Sequence, residues 1–186
     1  MTKNEMDKKV LALIEELNPD SEYLTDDPDI AAKHREVTNQ IMFELARMKK
    51  IPRYAEIEVT KGQLVTFENI EQAVGNAVYQ LGNVGGVKHD FKAEGTVIKA
   101  LESGTLEVNC FVYPERITEK TKPNYEFELS QDALEIMPYG IAADLLKSDA
   151  SSEYGAIYAN RYEAMLSRLD PRYQMASVYI DGGVSI

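Results

Sequence analysis

The spacing of apolar residues changes twice along this chain, and that change limits the fold more than any composition figure. Met6, Val10, Leu13, Ile14 and Leu17 recur every three or four residues, and Val37, Ile41, Leu45 and Met48 repeat the pattern. A period near 3.6 puts each set on one face of a helix. From Tyr54 the period falls to two, with Ala55, Ile57 and Val59 alternating with Tyr54, Glu56 and Glu58. That alternation marks a strand with one wet face. Helical spacing returns after Ser130, first through Leu134, Met137, Ile141 and Leu145, then through Tyr154, Tyr158, Tyr162, Met165 and Leu169. Helices at both ends of a strand block predict an α+β fold, with N- and C-terminal helices packed together and a central antiparallel β-sheet or small sandwich inserted between them. The expected parcels are N-terminal helices over 1–52, a β-rich insertion over 53–129, C-terminal helices over 130–170 packing on the first pair, and an extended tail over 171–186.

Local signals set the expected boundaries. Thr2 with Glu5 three residues later has the form of a capping box, and Asn18-Pro19-Asp20-Ser21 is expected to end the first helix. Asp27-Pro28 opens the second helix, Lys49-Lys50 suits the negative end of its dipole, and Pro52 stops it. Strands are expected over 54–59, 63–67, 79–84, 87–91, 96–101, 106–113 and 125–129, with a short helix possible within 68–77. The strand from Leu106 has apolar residues on both faces and is expected to be central. Pro138 sits inside the spacing of the third helix, which predicts a kink there or a helix starting near Met137.

A chain of 186 residues with 44 % hydrophobic content can bury a core without disulfide staples, and its single cysteine, Cys110, reads as a small buried hydrophobe. One cysteine suits a reducing compartment. The N-terminus is charged, with no signal-peptide core, and no stretch approaches the roughly 20 apolar residues of a membrane span, so a cytoplasmic setting without membrane contact is expected. The net charge of −11 divides as −3 over 1–50, −4 over 51–129 and −4 over 130–186. Without a basic footprint to neutralise phosphate, specific nucleic-acid binding is not expected.

Candidate chemistry is sparse. His34 and His89 have no Cys or His at ligand spacing, whereas zinc needs three or four convergent ligands; both read as surface residues. Asp26-Asp27-Pro28-Asp29 lacks the central Gly and distal Glu of a calcium loop and reads as a helix cap. Gly82-Asn83-Val84-Gly85-Gly86 lacks the Lys-Ser/Thr ending of a phosphate loop and reads as a hairpin or bulge. Glu56/Glu58 and Glu126/Glu128 could be compared with glycosidase carboxylate pairs, but their alternation with apolar residues makes them the solvated face of strands. No catalytic residue, cofactor or metal ligand is assigned.

The least ordinary feature is the row Tyr154, Tyr158 and Tyr162, at i, i+4 and i+8 on one helix. Such a row is either core packing with hydroxyls at the edge or a protein interface, where Tyr serves with one end dry and the other wet. Val178-Tyr179-Ile180 in the tail forms a second candidate interface, able to add a strand to a neighbour.

The last third also carries a resemblance. Phe127-Glu128-Leu129, then Leu134-Glu135-Ile136-Met137-Pro138-Tyr139-Gly140-Ile141-Ala142-Ala143-Asp144-Leu145-Leu146, then Ser148-Asp149 and a helix containing Asn160-Arg161-Tyr162-Glu163 resemble bacteriophage head–tail joining proteins of the connector-adaptor or head-completion type. Val112-Tyr113-Pro114-Glu115-Arg116-Ile117 fits the same pattern, a strand leading through Pro into a polar loop. The wording matches over about 100–186 and the layout over the whole chain. The resemblance implies a structural, non-enzymatic subunit of a homo-oligomeric ring between portal and tail proteins, in the host cytoplasm and then the virion. The alternative is an intracellular β-sandwich module binding carbohydrate or protein without catalysis, against which the absence of Trp counts. A hydrolase using one of the glutamate pairs is the third reading.

Overall fold

The computed structural model describes residues 1–21, 24–92, 97–147 and 153–169. In chain order, α1 (Lys3–Leu13) and α2 (Pro28–Met48) precede β1 (Ile51–Val59), β2 (Leu64–Thr66), α3 (Phe67–Val74), β3 (Val78–Gly86), β4 (His89–Lys92), β5 (Val97–Ala100) and β6 (Gly104–Val112), and α4 (Gln131–Leu146) and α5 (Glu153–Leu169) follow. The class is α+β, with antiparallel sheets. The chain divides into two compact units, a helical one from Met1–Lys49 and the chain after Ile117, and a β-rich one from Lys50–Arg116.

In the helical unit, Met6 and Val10 of α1, Ile41, Met42 and Leu45 of α2, and Met137 and Ile141 of α4 form one buried cluster, joined by Tyr162 and Leu169 of α5. Two lysines set the direction of α2 against α4. Lys33 Nζ, near the start of α2, donates to the Leu145 carbonyl at the end of α4 at 2.9 Å, while Lys49, at the other end, pairs with Asp132 at 2.8 Å. The helices therefore run antiparallel, and Lys33 satisfies one of the carbonyls a helix C-terminus leaves without partners. The Lys49 hydrogen bond holds the Asp132 carboxyl below its ordinary range.

The expected caps are present. Thr2 Oγ1 accepts from the Glu5 N–H, and Glu5 Oε2 accepts from the Thr2 N–H. Asp27 Oδ1 accepts from the N–H groups of Asp29 and Ile30, which accounts for the acidic run at 26–29 as a helix start. Two helix boundaries differ from the sequence expectation. The first helix ends at Leu13, where Glu15 takes φ 63° and breaks the repeat ahead of Asn18-Pro19. Of the two expectations at Pro138, a kink or a start near Met137, the second is corrected: α4 begins at Gln131 and runs through Pro138. Pro138 cannot donate to the Leu134 carbonyl, but it is buried with Leu134, Met137 and Ile141, and that packing carries the helix across the missing bond.

The β-rich unit has two three-stranded antiparallel sheets, ordered β1-β6-β3 and β2-β5-β4. β6 is central, as its two-sided apolar pattern predicts, with Leu106, Val108, Cys110 and Val112 buried. The Cys110 thiol is buried, and desolvation pushes its pKa up. β1 begins at Ile51 and includes Pro52, tolerable because β1 is an edge strand. The glycine run in β3 accompanies register shifts against β6 between Leu81 and Val84. Gly86 lies at φ 79°, and a Cβ there would run into the Thr105 carbonyl, so only glycine fits.

The expected strand over 125–129 is not part of either sheet. Among the described residues its pairing is an isolated bridge from Glu126 to Thr2, and residues 117–129 belong to the helical unit. The segment runs as a strap over the start of α1. The Pro123 and Tyr125 carbonyls accept from the Asn4 and Lys3 N–H groups at 3.0 and 2.7 Å, satisfying donors that a helix N-terminus cannot pair internally. The strap is anchored by Asn39 in mid-α2, which is 2 % exposed. Its Oδ1 accepts from the Ile117 N–H at 2.7 Å, and its Nδ2 donates to the Ile117 carbonyl at 2.9 Å.

Candidate functional site

The tyrosine row divides by burial. Tyr162 is 8 % exposed, donates from its hydroxyl to Glu44 Oε2 at 3.0 Å and lies against Gly140, where an added Cβ would sit 2.8 Å from its ring. Burial and then the Glu44 carboxylate raise the Tyr162 pKa well above its ordinary value. Tyr158 is half-buried and donates to the Leu13 carbonyl at 3.0 Å, closing the C-terminal end of α1. Tyr154 stacks on Tyr158 with ring centroids 6.3 Å apart and is 56 % exposed, and Ile157 on the same helix is 54 % exposed.

The reason is geometric. α5 packs chiefly on α4, and only Tyr162 and Leu169 of its residues are fully buried. Tyr154 continues the row at the start of α5 but lies largely in solvent, as does Ile157. Arg161 stands over the Tyr139 ring at 4.2 Å, which orders part of that surface by cation–π attraction. Val178, Tyr179 and Ile180 lie outside the described residues.

Both glutamate pairs are exposed. Glu56 and Glu58 lie on the wet side of β1; Glu56 accepts from the Tyr54 hydroxyl at 2.9 Å, and Glu58 from Thr105 Oγ1 at 2.6 Å. Glu126 and Glu128 are exposed on the strap. Among the described residues, no three His, Cys, Asp or Glu side chains gather where they could hold a metal ion, and no helix is long and apolar enough to cross a membrane.

One histidine differs from its expected place. His34 is not on the surface but 7 % exposed, facing α1 from α2 with its Nδ1 3.8 Å from Asp7 Oδ1. Its position carries a signal that spacing alone could have supplied, since 34, 38, 41 and 45 share one face of α2 and all four residues are buried. Desolvation lowers the His34 pKa below 6.5, Asp7 opposes that shift and Lys3 adds to it. The folded protein thus resists a proton that the unfolded chain accepts at about pH 6.5. Stability should fall as pH drops below that value, by up to about 1.4 kcal/mol per pH unit until the lower folded-state pKa is passed. Urea titrations at pH 7.5 and 5.5 test this; His34→Gln should remove most of the difference, and an unchanged slope would contradict it.

No protein-family model matches the chain, and no match to it was found among curated proteins. The functional reading therefore rests on the residues and their placement.

Proposed function

We propose that this chain is a subunit of a phage head–tail joint, assembling with copies of itself into a ring between portal and tail proteins. The observation that carries this reading is the first turns of α5, where Tyr154 and Ile157 are more than half exposed beside a stacked Tyr158. Large side chains left exposed on a helix that is anchored further along are what a self-associating subunit needs, since aromatic anchors dominate interface energetics. The even spread of negative charge supports the same reading, because a wall around a DNA conduit must not grip phosphate. The wording of residues 127–169 resembles the joining proteins over the same α4 and α5.

Light scattering with negative-stain imaging tests the proposal. A ring, alone or on a portal, is expected; Tyr154→Arg with Ile157→Asp should give folded monomers. Deleting residues 173–186 should weaken assembly and leave the helical content intact. A parent chain that stays monomeric at high concentration and never binds a portal would exclude the reading.

The second reading, a binding module, draws on the β-rich unit, where Tyr54 and Phe91 are 51 % and 48 % exposed. A monomer retained on a glycan or peptide column through these residues would favour it over the ring.

A further inference from the structure

The β-rich unit is nearly neutral, with a net charge of −2 over Lys50–Arg116, but its charges are sorted between two exposed sheet faces. On the sheet β1-β6-β3, register and alternation put Tyr54 beside Asn109, Glu56 beside Glu107 and Glu58 beside Thr105 on the solvent side. Like charges directly opposite each other destabilise a sheet, so Glu56 across from Glu107 is a cost within the single chain. On its other flank Glu107 faces Gly85, which has no side chain to cover it. Glu56 and Glu58 accept from the Tyr54 and Thr105 hydroxyls, which bring no positive charge.

The sheet β2-β5-β4 has the opposite character. One side of it holds the buried Val65, Ile98 and Ala100. On the other side register places Leu64, Lys99 and Asp90 in one row, and alternation adds Lys88, Lys92 and Leu101. Leu64 and Leu101 are 54 % and 41 % exposed. Lys88 pairs with Glu102 and Lys92 with Asp90, both in solvent, where such pairs contribute little and leave the lysines able to turn to a better partner. This face sets three lysines against two acids, around two exposed leucines.

We propose that these faces are the two halves of one head-to-tail contact, in which the lysine–leucine face of β2-β5-β4 docks on the glutamate–tyrosine face of β1-β6-β3 in the next copy of the chain. Lysines of one copy neutralise the opposed Glu56 and Glu107 of the next, and the leucines cover the Tyr54 ring. A contact between unlike faces repeats in one direction and closes a ring where the rotation allows. Resting on the ring reading, it adds a second attachment between neighbours to that of α5. The smaller face limits its strength. Three strands about 4.8 Å apart, each of about four residues at ~3.4 Å, cover roughly 200 Å². A stable interface buries about 800 Å² per partner, so this contact does not hold neighbours together without α5.

Sedimentation velocity of the full chain over a range of concentrations tests the contact, with circular dichroism to show that each variant is folded. Glu56→Lys with Glu107→Lys keeps a like-charge pair across the strands but turns the acidic face basic. Assembly should weaken by about tenfold or more. Lys92→Glu with Lys99→Glu should do the same from the other face. An equimolar mixture of the two variants should regain assembly, because every contact between unlike copies is again between opposite charges. Should the second variant fail to fold, Leu64→Ser with Leu101→Ser must weaken assembly in its place. Assembly that either reversal leaves unchanged, or a mixture of folded variants that stays apart, overturns the contact and leaves the ring reading standing. A parent chain that remains monomeric overturns both.

Discussion

Asn39→Leu should destabilise the helical unit by roughly 3–5 kcal/mol, the sum of two stranded backbone groups and a poorly fitting side chain. The amide of Asn39 pairs with both the N–H and the carbonyl of Ile117, and all of these groups are buried. Leucine is close in size but can pair with neither, so both backbone groups keep their desolvation cost without a bond in return. Asn39→Asp is the sharper control, because a carboxylate still accepts from the Ile117 N–H while facing the carbonyl with a second acceptor. It should also lose stability, and the loss should shrink on acidification as the carboxyl gains a proton to donate. Urea unfolding followed by far-UV circular dichroism measures both. A loss below about 1 kcal/mol for Asn39→Leu would mean that the strap is held by its other contacts. The consequence reaches beyond residue 39, because the strap pairs the first N–H groups of α1.

Gly140→Val should cost about 2–4 kcal/mol, against the usual gain from removing a helix glycine. In an exposed helix, replacing Gly stabilises by up to about 1 kcal/mol through backbone entropy. At Gly140 the added Cβ would meet three carbons of the Tyr162 ring at 2.8 to 3.0 Å. The ring cannot swing aside without breaking its hydrogen bond to Glu44 and opening the core it shares with α4. Even Gly140→Ala should therefore destabilise. Combining it with Tyr162→Leu should cost less than the sum of the single changes, because the smaller side chain removes the clash. Additive losses would show that the two residues do not meet in solution. Since α5 is anchored through Tyr162, Gly140→Val should also disturb the surface that Tyr154 and Ile157 present.

Much of this architecture is legible in the chain. The switch from a period near 3.6 to two and back foretells helices, strands and helices, because each period follows from backbone geometry. The caps at Thr2 and Asp27 are equally local, since a cap needs only side chains within three residues of the helix start. The central place of β6 follows from its two apolar faces. Residues 125–129 show where such reading ends. Their alternation is that of a half-buried strand, and Phe127 is buried while Glu126 and Glu128 are exposed, yet among the described residues no strand lies alongside to make a sheet. Alternation reports burial on one side, not the partner that causes it.

The sequence by itself determined the class of fold, the run of helices, strands and helices, and the sign of its charge. These follow from periodicity, capping and residue inventory, all of which are local or additive. Only the tertiary structure decided that Tyr162 is core and Tyr154 is surface, that His34 is buried against α1, and that Asn39 holds the chain where it returns from the β-rich unit. Those outcomes depend on residues 78 and 118 positions apart in sequence coming together, as Asn39 does with Ile117 and Glu44 with Tyr162. Contacts at such separations are set by how whole helices pack, and packing is a property of the assembled core rather than of any one segment.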